Sequence, residues 1–273
     1  MDSINENKIK EMYQLRRPMS WIEKETGIKK KKIEQYLKEN NLWTGHKYLL
    51  IYFDEFFFDK IDTEEKAYWL GFIYADGYLS KPSNIGIELK DTDGNHLKKF
   101  KQSLHSEHSV RYYTKNSTYG IEKTARFQFA SKHMFNILLS YYGSIHKTFE
   151  GTFPILNNKE LIPHLIRGFF DGDGSLTWAN KEDNCLFCPQ INFIGTKETL
   201  TYIEEISGFK WSWSQRFPEK NTNNYQINCG RTLDTIQFLH YMYDNSTIYL
   251  DRKYNKYITL LENREKNKAK ARV

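Results

Sequence analysis

Two nine-residue segments of the chain repeat each other and constrain its fold more than any other feature. WLGFIYADG (69–77) and IRGFFDGDG (166–174) align without gaps, pairing Gly71 with Gly168, Phe72 with Phe169, Ala75 with Gly172, Asp76 with Asp173 and Gly77 with Gly174. A glycine inside a helix costs roughly 1 kcal/mol against alanine, so each helix must gain from lacking a side chain there. Small residues four positions apart share one helix face and let two backbones approach closely. The repeat therefore predicts two helices packed together about a pseudo-twofold axis, the first one capped by Thr63 and buried all round.

The residues that follow each segment also repeat, as short polar–apolar alternations interrupted by helices. Strands are predicted at 78–81, 85–90, 110–115 and 126–130, and again at 175–179, 190–194, 211–217 and 225–229. At 273 residues the chain has room for a duplicated unit and an appendage. We predict an α+β fold of two αββαββα repeats, at 63–158 and 159–262. A helical module (1–47) and a connecting segment (48–62) precede them, and a basic tail (263–273) follows.

Asp76 and Asp173 are predicted to lie side by side at the carboxyl ends of the paired helices, each followed by a glycine suited to a left-handed C-cap. Two like charges at the negative ends of helix dipoles repel each other, and divalent cations bound by both relieve the conflict. Carboxylate oxygens favour magnesium, manganese or calcium over zinc. Paired metals are a common device for phosphodiester hydrolysis. The alternative, two ordinary capping residues, fits either helix alone better than it fits a matched pair.

Two other kinds of metal site are less well supported by the sequence. In an EF-hand, Asp171, Asp173, Ser175 and Glu182 would fall at loop positions one, three, five and twelve, but Leu176 stands where that loop requires glycine. Cys185 and Cys188 form a CxxC without a second pair at zinc-ribbon spacing, so reduced thiols are favoured over structural zinc.

The first 40 residues are typical of three short helices. Ser20 followed by Glu23 is a capping-box signature, and Gly27 ends the second helix. The third helix opens with the four lysines Lys29, Lys30, Lys31 and Lys32. A tight helix-turn-helix with a basic turn on its last helix can enter a DNA major groove. A solvated lysine face on a small helical bundle is the alternative.

The paired motifs resemble those of the LAGLIDADG homing endonucleases in their single-chain, two-repeat form. The resemblance spans about residues 60–260 and includes SYYGSIHKTF (140–149) and MYDNSTIYLDRKYNKY (242–257). It implies that Asp76 and Asp173 bind the catalytic metals, together with the preceding residues Ala75 and Gly172. It also implies that Lys147 and Lys253 polarise solvent around the scissile phosphates, with Arg252 as an alternative to Lys253. Mg²⁺ is the implied cofactor, with Mn²⁺ substituting and Ca²⁺ binding without supporting cleavage. The motifs depart from the family pattern at Tyr74 and Arg167, outside the metal position.

The same resemblance implies that the two sheets form a saddle over the major groove, with alternate residues facing DNA and core. Parity directs Phe127, Phe129, Trp211, Trp213 and Phe217 inward. The residues predicted to face DNA are Lys90, Arg111, Tyr113, Arg126, Gln128, Ser212, Ser214, Arg216, Gln226 and Asn228.

Composition limits the classes of function. A net charge of +6 with 16% aromatic residues suits a phosphate-bearing partner, although a slightly basic enzyme of another kind has the same balance. No run of about 18 apolar residues and no signal-peptide pattern is found, so we expect a cytoplasmic protein of bacterial, phage or organellar origin. We expect a monomeric, site-specific double-strand DNA endonuclease with a long DNA target, no membrane partner and no small-molecule ligand. A non-cutting DNA-binding regulator or intron RNA maturase on the same fold is the alternative, and an intein lacks support because no splice-junction asparagine is found.

Overall fold

The computed structural model describes residues 3–14, 17, 19–43, 51–117, 120–179, 188–220 and 222–270. Cys185, Glu182, residues 44–47 of the helical module, residues 48–50 of the connecting segment and the last three residues of the basic tail lie outside these ranges. The chain forms two compact units, Met1–Asp54 with Leu104–Ser109 and Glu55–Ser103 with Val110–Val273.

In its described residues, the first unit contains three helices, α1 (Ser3–Gln14), α2 (Met19–Thr26) and α3 (Lys30–Glu39). Their apolar faces enclose a small core of Ile9, Ile22, Ile33, Tyr36 and Leu37. Gly27 ends α2 in the left-handed region, at φ 68°, as the sequence predicts for a helix stop. Ser20 is not the N-cap, because α2 already begins at Met19.

The first repeat of the second unit runs from α4 to α7. It comprises α4 (Glu64–Asp76), β1 (Gly77–Ser80), β2 (Asn84–Lys90), α5 (Gly94–Ser103), β3 (Arg111–Ser117), β4 (Gly120–Ala130), α6 (Lys132–Tyr142) and α7 (Lys147–Glu150). Thr63 caps α4 by accepting a hydrogen bond from the Lys66 backbone N–H at 3.3 Å, as predicted. The strands form an antiparallel sheet in the order β1-β2-β4-β3.

The second repeat has the same order of helices and strands around its sheet. It comprises α8 (Ile162–Asp173), β5 (Ser175–Ala179), β6 (Cys188–Gly195), α9 (Lys197–Ser207), β7 (Ser212–Gln215), β8 (Tyr225–Cys229), α10 (Thr232–Tyr243) and α11 (Asp251–Lys270). Its antiparallel sheet has the order β5-β6-β8-β7, which matches the first sheet strand for strand. The prediction of a duplicated α+β unit is confirmed. No helix in the described part of the chain has a stretch long and apolar enough to cross a membrane.

The core of each repeat lies between one sheet face and the central helix. Every residue of α4 from Ala67 to Tyr74 is buried, because the apolar residues of that segment cover all sides of the helix. Phe127 and Phe129 point inward from β4, and Phe193 points inward from β6, as strand parity requires. The sheets therefore present their opposite faces, which carry the polar residues, away from the core.

Candidate active site and nucleic-acid interface

Helices α4 and α8 cross in backbone-to-backbone contact at their glycines. A Cβ atom at Gly71 would overlap the carbonyl oxygen of Leu165, and one at Gly168 would overlap that of Tyr68. Nearer the carboxyl ends, Gly172 faces the side chain of Ala75, and a Cβ atom there would lie 3.4 Å from Cγ of Asp76. This close approach, which the small-residue spacing predicts, brings the last residues of both helices, Asp76 and Asp173, to one place.

The two carboxyl groups share an environment that disfavours their ionised forms. Asp76 is half-buried, whereas the Asp173 residue is exposed, although its carboxyl group is still partly desolvated by the surrounding protein. Burial and then the charge of Asp173 raise the pKa of Asp76 to about 6, although Lys253, Arg252 and Lys147 oppose the rise. Burial likewise raises the pKa of Asp173 against the nearby Lys147 and Lys253. A bound cation would relieve this cost, since it replaces the missing hydration of both carboxylates.

The glycine after each aspartate has a different purpose from the predicted one. Gly77 and Gly174 have φ angles of −78° and −81° and are extended rather than left-handed, so the predicted C-cap geometry is wrong. Each helix turns directly into a strand at this glycine. A Cβ atom would then lie 2.6 Å from the Ile73 carbonyl oxygen at Gly77, and 2.7 Å from that of Phe170 at Gly174. Steric fit at the helix end, and not a positive φ, requires glycine.

Lys147 and Lys253 are buried at the ends of α4 and α8, at 7% and 4% relative exposure. Lys147 Nζ donates to the carbonyl oxygens of Ile73, Tyr74 and Gly77, so it caps the end of α4. Lys253 Nζ caps α8 in the same manner, through the carbonyl oxygens of Phe170, Gly172 and Gly174. Each ammonium group therefore uses all three of its N–H donors on backbone, an arrangement that sequence spacing does not reveal.

Burial lowers the pKa of Lys147 to about 7 and that of Lys253 to about 8, while the neighbouring carboxylates act in the opposite direction. Even so, both ammonium groups, when protonated, lie close enough to Asp76 and Asp173 to lower the pKa of each carboxyl group. Arg252, the alternative to Lys253, instead donates from Nε to Asp93 at 2.8 Å on the protein surface.

Asp171 and Tyr74 occupy equivalent positions in the two motifs but differ in chemistry. Asp171 is fully buried and accepts hydrogen bonds from the Tyr68 and Tyr243 hydroxyls and the Leu250 backbone N–H. With no access to solvent it cannot serve as an EF-hand ligand. Tyr74 instead forms hydrogen bonds with the Gly151 carbonyl, at 3.1 Å, and with the Thr199 hydroxyl, at 2.8 Å.

Arg167, the other departure from the family pattern, is also buried. Its guanidinium donates to Glu64 at 2.7 Å and to the carbonyl oxygens of Met242 and Ile248. These contacts join α8 to the start of α4, to the last turn of α10 and to the segment after α10. Both departures from the pattern are therefore structural.

The donor set at the motif ends fits a hard cation better than zinc. Within the described ranges, no group of three or more His, Cys, Asp or Glu side chains is placed to hold a metal ion. Two carboxylates alone make an incomplete site, and phosphate oxygens and water would complete it. Cys188 and Cys229 are free thiols.

A cavity of about 500 Å³ opens beside Asp173 at the boundary between the repeats. Its polar lining includes Lys147, His146, Arg216 and Asn224. Arg216 was expected from strand parity to face DNA. His146 and Asn224 were not identified from the sequence, because neither belongs to a motif or to a strand alternation.

The first sheet places all five of its predicted residues on its outer face. Arg126 of β4 lies between Glu88 of β2 and Arg111 of β3 in the strand register. In the next row on the same face, Thr124 of β4 lies between Lys90 of β2 and Tyr113 of β3. Gln128 is exposed on the same face and accepts a hydrogen bond from the Tyr78 hydroxyl at 2.7 Å.

The second sheet follows parity on β8 but not fully on β7. Gln226 and Asn228 pair with Ser214 and Ser212 on the outer face. Trp211 is buried, whereas Trp213 and Phe217, which were also predicted to point inward, are 36% and 47% exposed. Strand β7 is an edge strand that ends at Gln215, so its inner side is only partly covered, and Trp213 instead donates to Glu204 of α9. The four consecutive lysines Lys29 to Lys32 of the first unit are all exposed at the start of α3.

Comparison with known proteins supports the fold. No protein-family model matches the sequence. An uncharacterized protein of Methanocaldococcus jannaschii is 27% identical over 177 residues, which span 60% of each chain, so the match covers less than two thirds of that relative.

Two solved structures are similar over most of the chain. The homing endonuclease I-WcaI, bound to its DNA recognition sequence, has a TM-score of 0.50 and 14% identity, over 79% of this chain and 96% of that one. The LAGLIDADG homing endonuclease I-GzeII, in complex with its DNA target, has a TM-score of 0.50 and 12% identity, over 74% and 89%. With its paired glycine helices, its two matching sheets and these neighbours, the chain has the two-repeat LAGLIDADG fold of the homing endonucleases.

Proposed function

We propose that this protein is a site-specific DNA endonuclease that hydrolyses one phosphodiester bond on each strand with the help of divalent metal. One observation carries the proposal: two carboxylates with raised pKa values stand together at the ends of the paired helices. Similar structures that contain DNA support the choice of substrate.

Asp76 and Asp173 would hold the cations, together with the backbone oxygens of Ala75 and Gly172. Mg²⁺ would activate water and stabilise the leaving oxygen, Mn²⁺ would substitute for it, and Ca²⁺ would bind without supporting cleavage. Lys147 and Lys253 hold the helix ends through backbone carbonyls. Their positive charges also lower the pKa of each carboxyl group and so favour the ionised form that binds a cation.

The outer sheet faces would bind the major groove of a long DNA target. Polar residues repeat there at every second position, which is the spacing needed for contacts to bases and phosphates. The four lysines at the start of α3, Lys29 to Lys32, would add phosphate contacts. Because one chain supplies both carboxylates, we expect a monomer to cut both strands, inside the cell that encodes it.

A non-cutting DNA-binding regulator, or an RNA maturase, is the second candidate. One observation favours it: every N–H of both lysines is already bonded to backbone, so neither ammonium group is free to contact a scissile phosphate. If this alternative holds, the paired carboxylates belong to the fold but have no catalytic role.

The experiment that separates these functions begins with selection of bound duplexes from a randomised DNA pool. The selected duplex is then incubated with the protein in Mg²⁺, Ca²⁺ or EDTA. Double-strand cleavage in Mg²⁺ alone, with binding retained in Ca²⁺, is expected. Specific binding without cleavage in any metal would contradict the nuclease and support a regulator, and selective binding of structured RNA over duplex DNA would support a maturase.

A further inference from the structure

Glu88 is an acidic residue at the centre of the outer face of the first sheet. A carboxylate that faces DNA is repelled by phosphates and accepts few hydrogen bonds from bases, so its position needs a reason. Its side chain is only 20% exposed, because Arg126 and Lys115 close around it.

Three contacts fix the guanidinium of Arg126 in one orientation. Nε and Nη2 lie 2.7 and 2.5 Å from Oε2 of Glu88. The Tyr113 ring stacks on the guanidinium, with its centroid 5.0 Å from Cζ. Lys115 forms an ion pair with Oε1 of Glu88 and so fixes the carboxylate in turn. Burial would raise the pKa of Glu88, but the hydrogen bonds from Lys115 and Arg126 lower it below its usual value, so Glu88 is charged.

The remaining donors of Arg126 point away from Glu88. Arginine has five N–H donors in a planar fork, and Glu88 occupies those on the Nε side. The edge formed by Nη1 and Nη2 is left for another ligand. Two parallel donors in a fixed plane match the O6 and N7 acceptors of guanine in the major groove.

We propose that Arg126 recognises one guanine in the DNA target and that Glu88 is the positioning residue that holds Arg126 in place for this contact. The inference rests on the proposed DNA-binding function. It specifies one base that the protein recognises and the half of the target in which that base lies.

The second repeat offers an internal comparison. Gln226 occupies the place in the ladder that Arg126 has in the first repeat, but Ile194 stands opposite it where Glu88 stands opposite Arg126. Gln226 donates to Asn228 at 2.8 Å and has no carboxylate partner among the described residues. The fixed guanidinium therefore belongs to the first repeat, and the guanine contact is expected in only one half of the target.

The test measures binding of the selected duplex with every base pair substituted in turn, in Ca²⁺ so that cleavage does not interfere. For wild-type protein, replacing one guanine should reduce affinity by about 5- to 100-fold. Arg126→Lys should reduce that preference to within about threefold and leave preferences at distant positions unchanged. Glu88→Gln should lose most of the same preference, while overall affinity stays within about tenfold because a negative charge is removed.

Glu122→Gln is the matched control, because Glu122 is an exposed acid on the same strand as Arg126, and on the same face. It removes the same charge without touching Arg126 and should leave the guanine preference intact. Thermal unfolding of each variant reports on its folding.

An unchanged preference profile in Arg126→Lys would overturn the proposal while leaving DNA binding in place. Loss of preference in Arg126→Lys but not in Glu88→Gln would overturn the role of Glu88. Failure of the wild-type protein to select any duplex would instead overturn the proposed function itself.

Discussion

At the scale of single residues, the two motif aspartates differ from the residues that would read bases, because their proposed role is to bind the cations. Asp76→Asn or Asp173→Asn should therefore abolish double-strand cleavage and leave affinity for the selected duplex within about tenfold. Cleavage of labelled duplex in Mg²⁺ and binding in Ca²⁺ measure the two effects. Full cutting by either variant would remove that aspartate from the active site.

The raised pKa of Asp76 also predicts a pH dependence of stability that does not require DNA. The folded protein binds a proton at Asp76 up to about pH 6, whereas the unfolded chain releases it near 3.8. In EDTA, the stability gained from this proton is fully present below pH 3.8 and is lost as pH rises through 6. At pH 7, Asp76→Asn should therefore be more stable than wild type by about 1–3 kcal/mol, and the two should be equally stable at pH 3.5.

Thermal unfolding across pH 3.5–8 measures this difference, with Glu122→Gln as the control for an exposed acid. Adding Ca²⁺ at pH 7 should raise the melting temperature of wild type and not of Asp76→Asn. Equal melting temperatures of the two proteins at pH 7 in EDTA would show that Asp76 carries no electrostatic cost.

Lys147 connects catalysis with the end of α4. Lys147→Ala should slow single-turnover cleavage by roughly 10- to 1000-fold, because one source of positive charge near the carboxylates is removed. It should also reduce the free energy of unfolding by about 1–3 kcal/mol, because buried carbonyl oxygens lose their donor. Lys98→Ala, on the exposed side of α5, should change neither quantity. A normal cleavage rate at saturating Mg²⁺ would limit Lys147 to a structural role.

At the scale of elements, the contact between α4 and α8 determines where the carboxylates stand. Gly168→Leu would force a side chain into the Tyr68 carbonyl and separate the helices. We expect a loss of several kcal/mol of stability together with loss of cleavage. Asn136→Leu, at an exposed site on α6, is the control. Wild-type thermal stability of Gly168→Leu would show that the backbones do not meet at this glycine.

Most elements could be predicted from the sequence because their apolar periodicity is strong. The inward phenylalanines of β4 follow directly from it, whereas α4 and α8 follow from the repeated motif with its small residues four positions apart. Strand β4 begins at Gly120, well before the predicted start at Arg126. Residues 120–123 are exposed and carry no apolar alternation, so no pattern in the sequence marks this part of the strand.

The site was predictable only in part. The motif repeat identifies Asp76 and Asp173, since equal positions in a duplicated unit meet at its axis. No local sequence pattern predicts the hydrogen bonds of Lys147, because its carbonyl partners lie about 70 residues earlier in the chain. The same holds for the ion pair between Glu88 and Arg126, which lie on different strands.

At the scale of the whole molecule, the first unit is expected to add affinity rather than to choose the cut. Replacing Lys29, Lys30, Lys31 and Lys32 by glutamine removes charge from exposed positions and preserves the core of that unit. Affinity should fall, and the slope of log K against log salt should flatten by about 0.9 for each phosphate that the variant no longer neutralises. The position of cleavage should not change.

Binding titrations at several salt concentrations measure this slope. Glutamine at Lys98 and Lys101 is the control, because both lie on α5, which covers the core face of the first sheet. An unchanged affinity and slope in the four-lysine variant would mean that these lysines form only a solvated face.

The backbone contact between α4 and α8 has a consequence for how such a protein could change its target. The carboxylates are placed by glycines in the middle of the molecule, whereas the bases would be read by side chains on the sheets. The number of base pairs between the two cuts should therefore be determined by the helix contact and should not change when residues on the sheets are replaced. Variants that acquire a different recognition sequence through the outer faces should still leave overhangs of the original length.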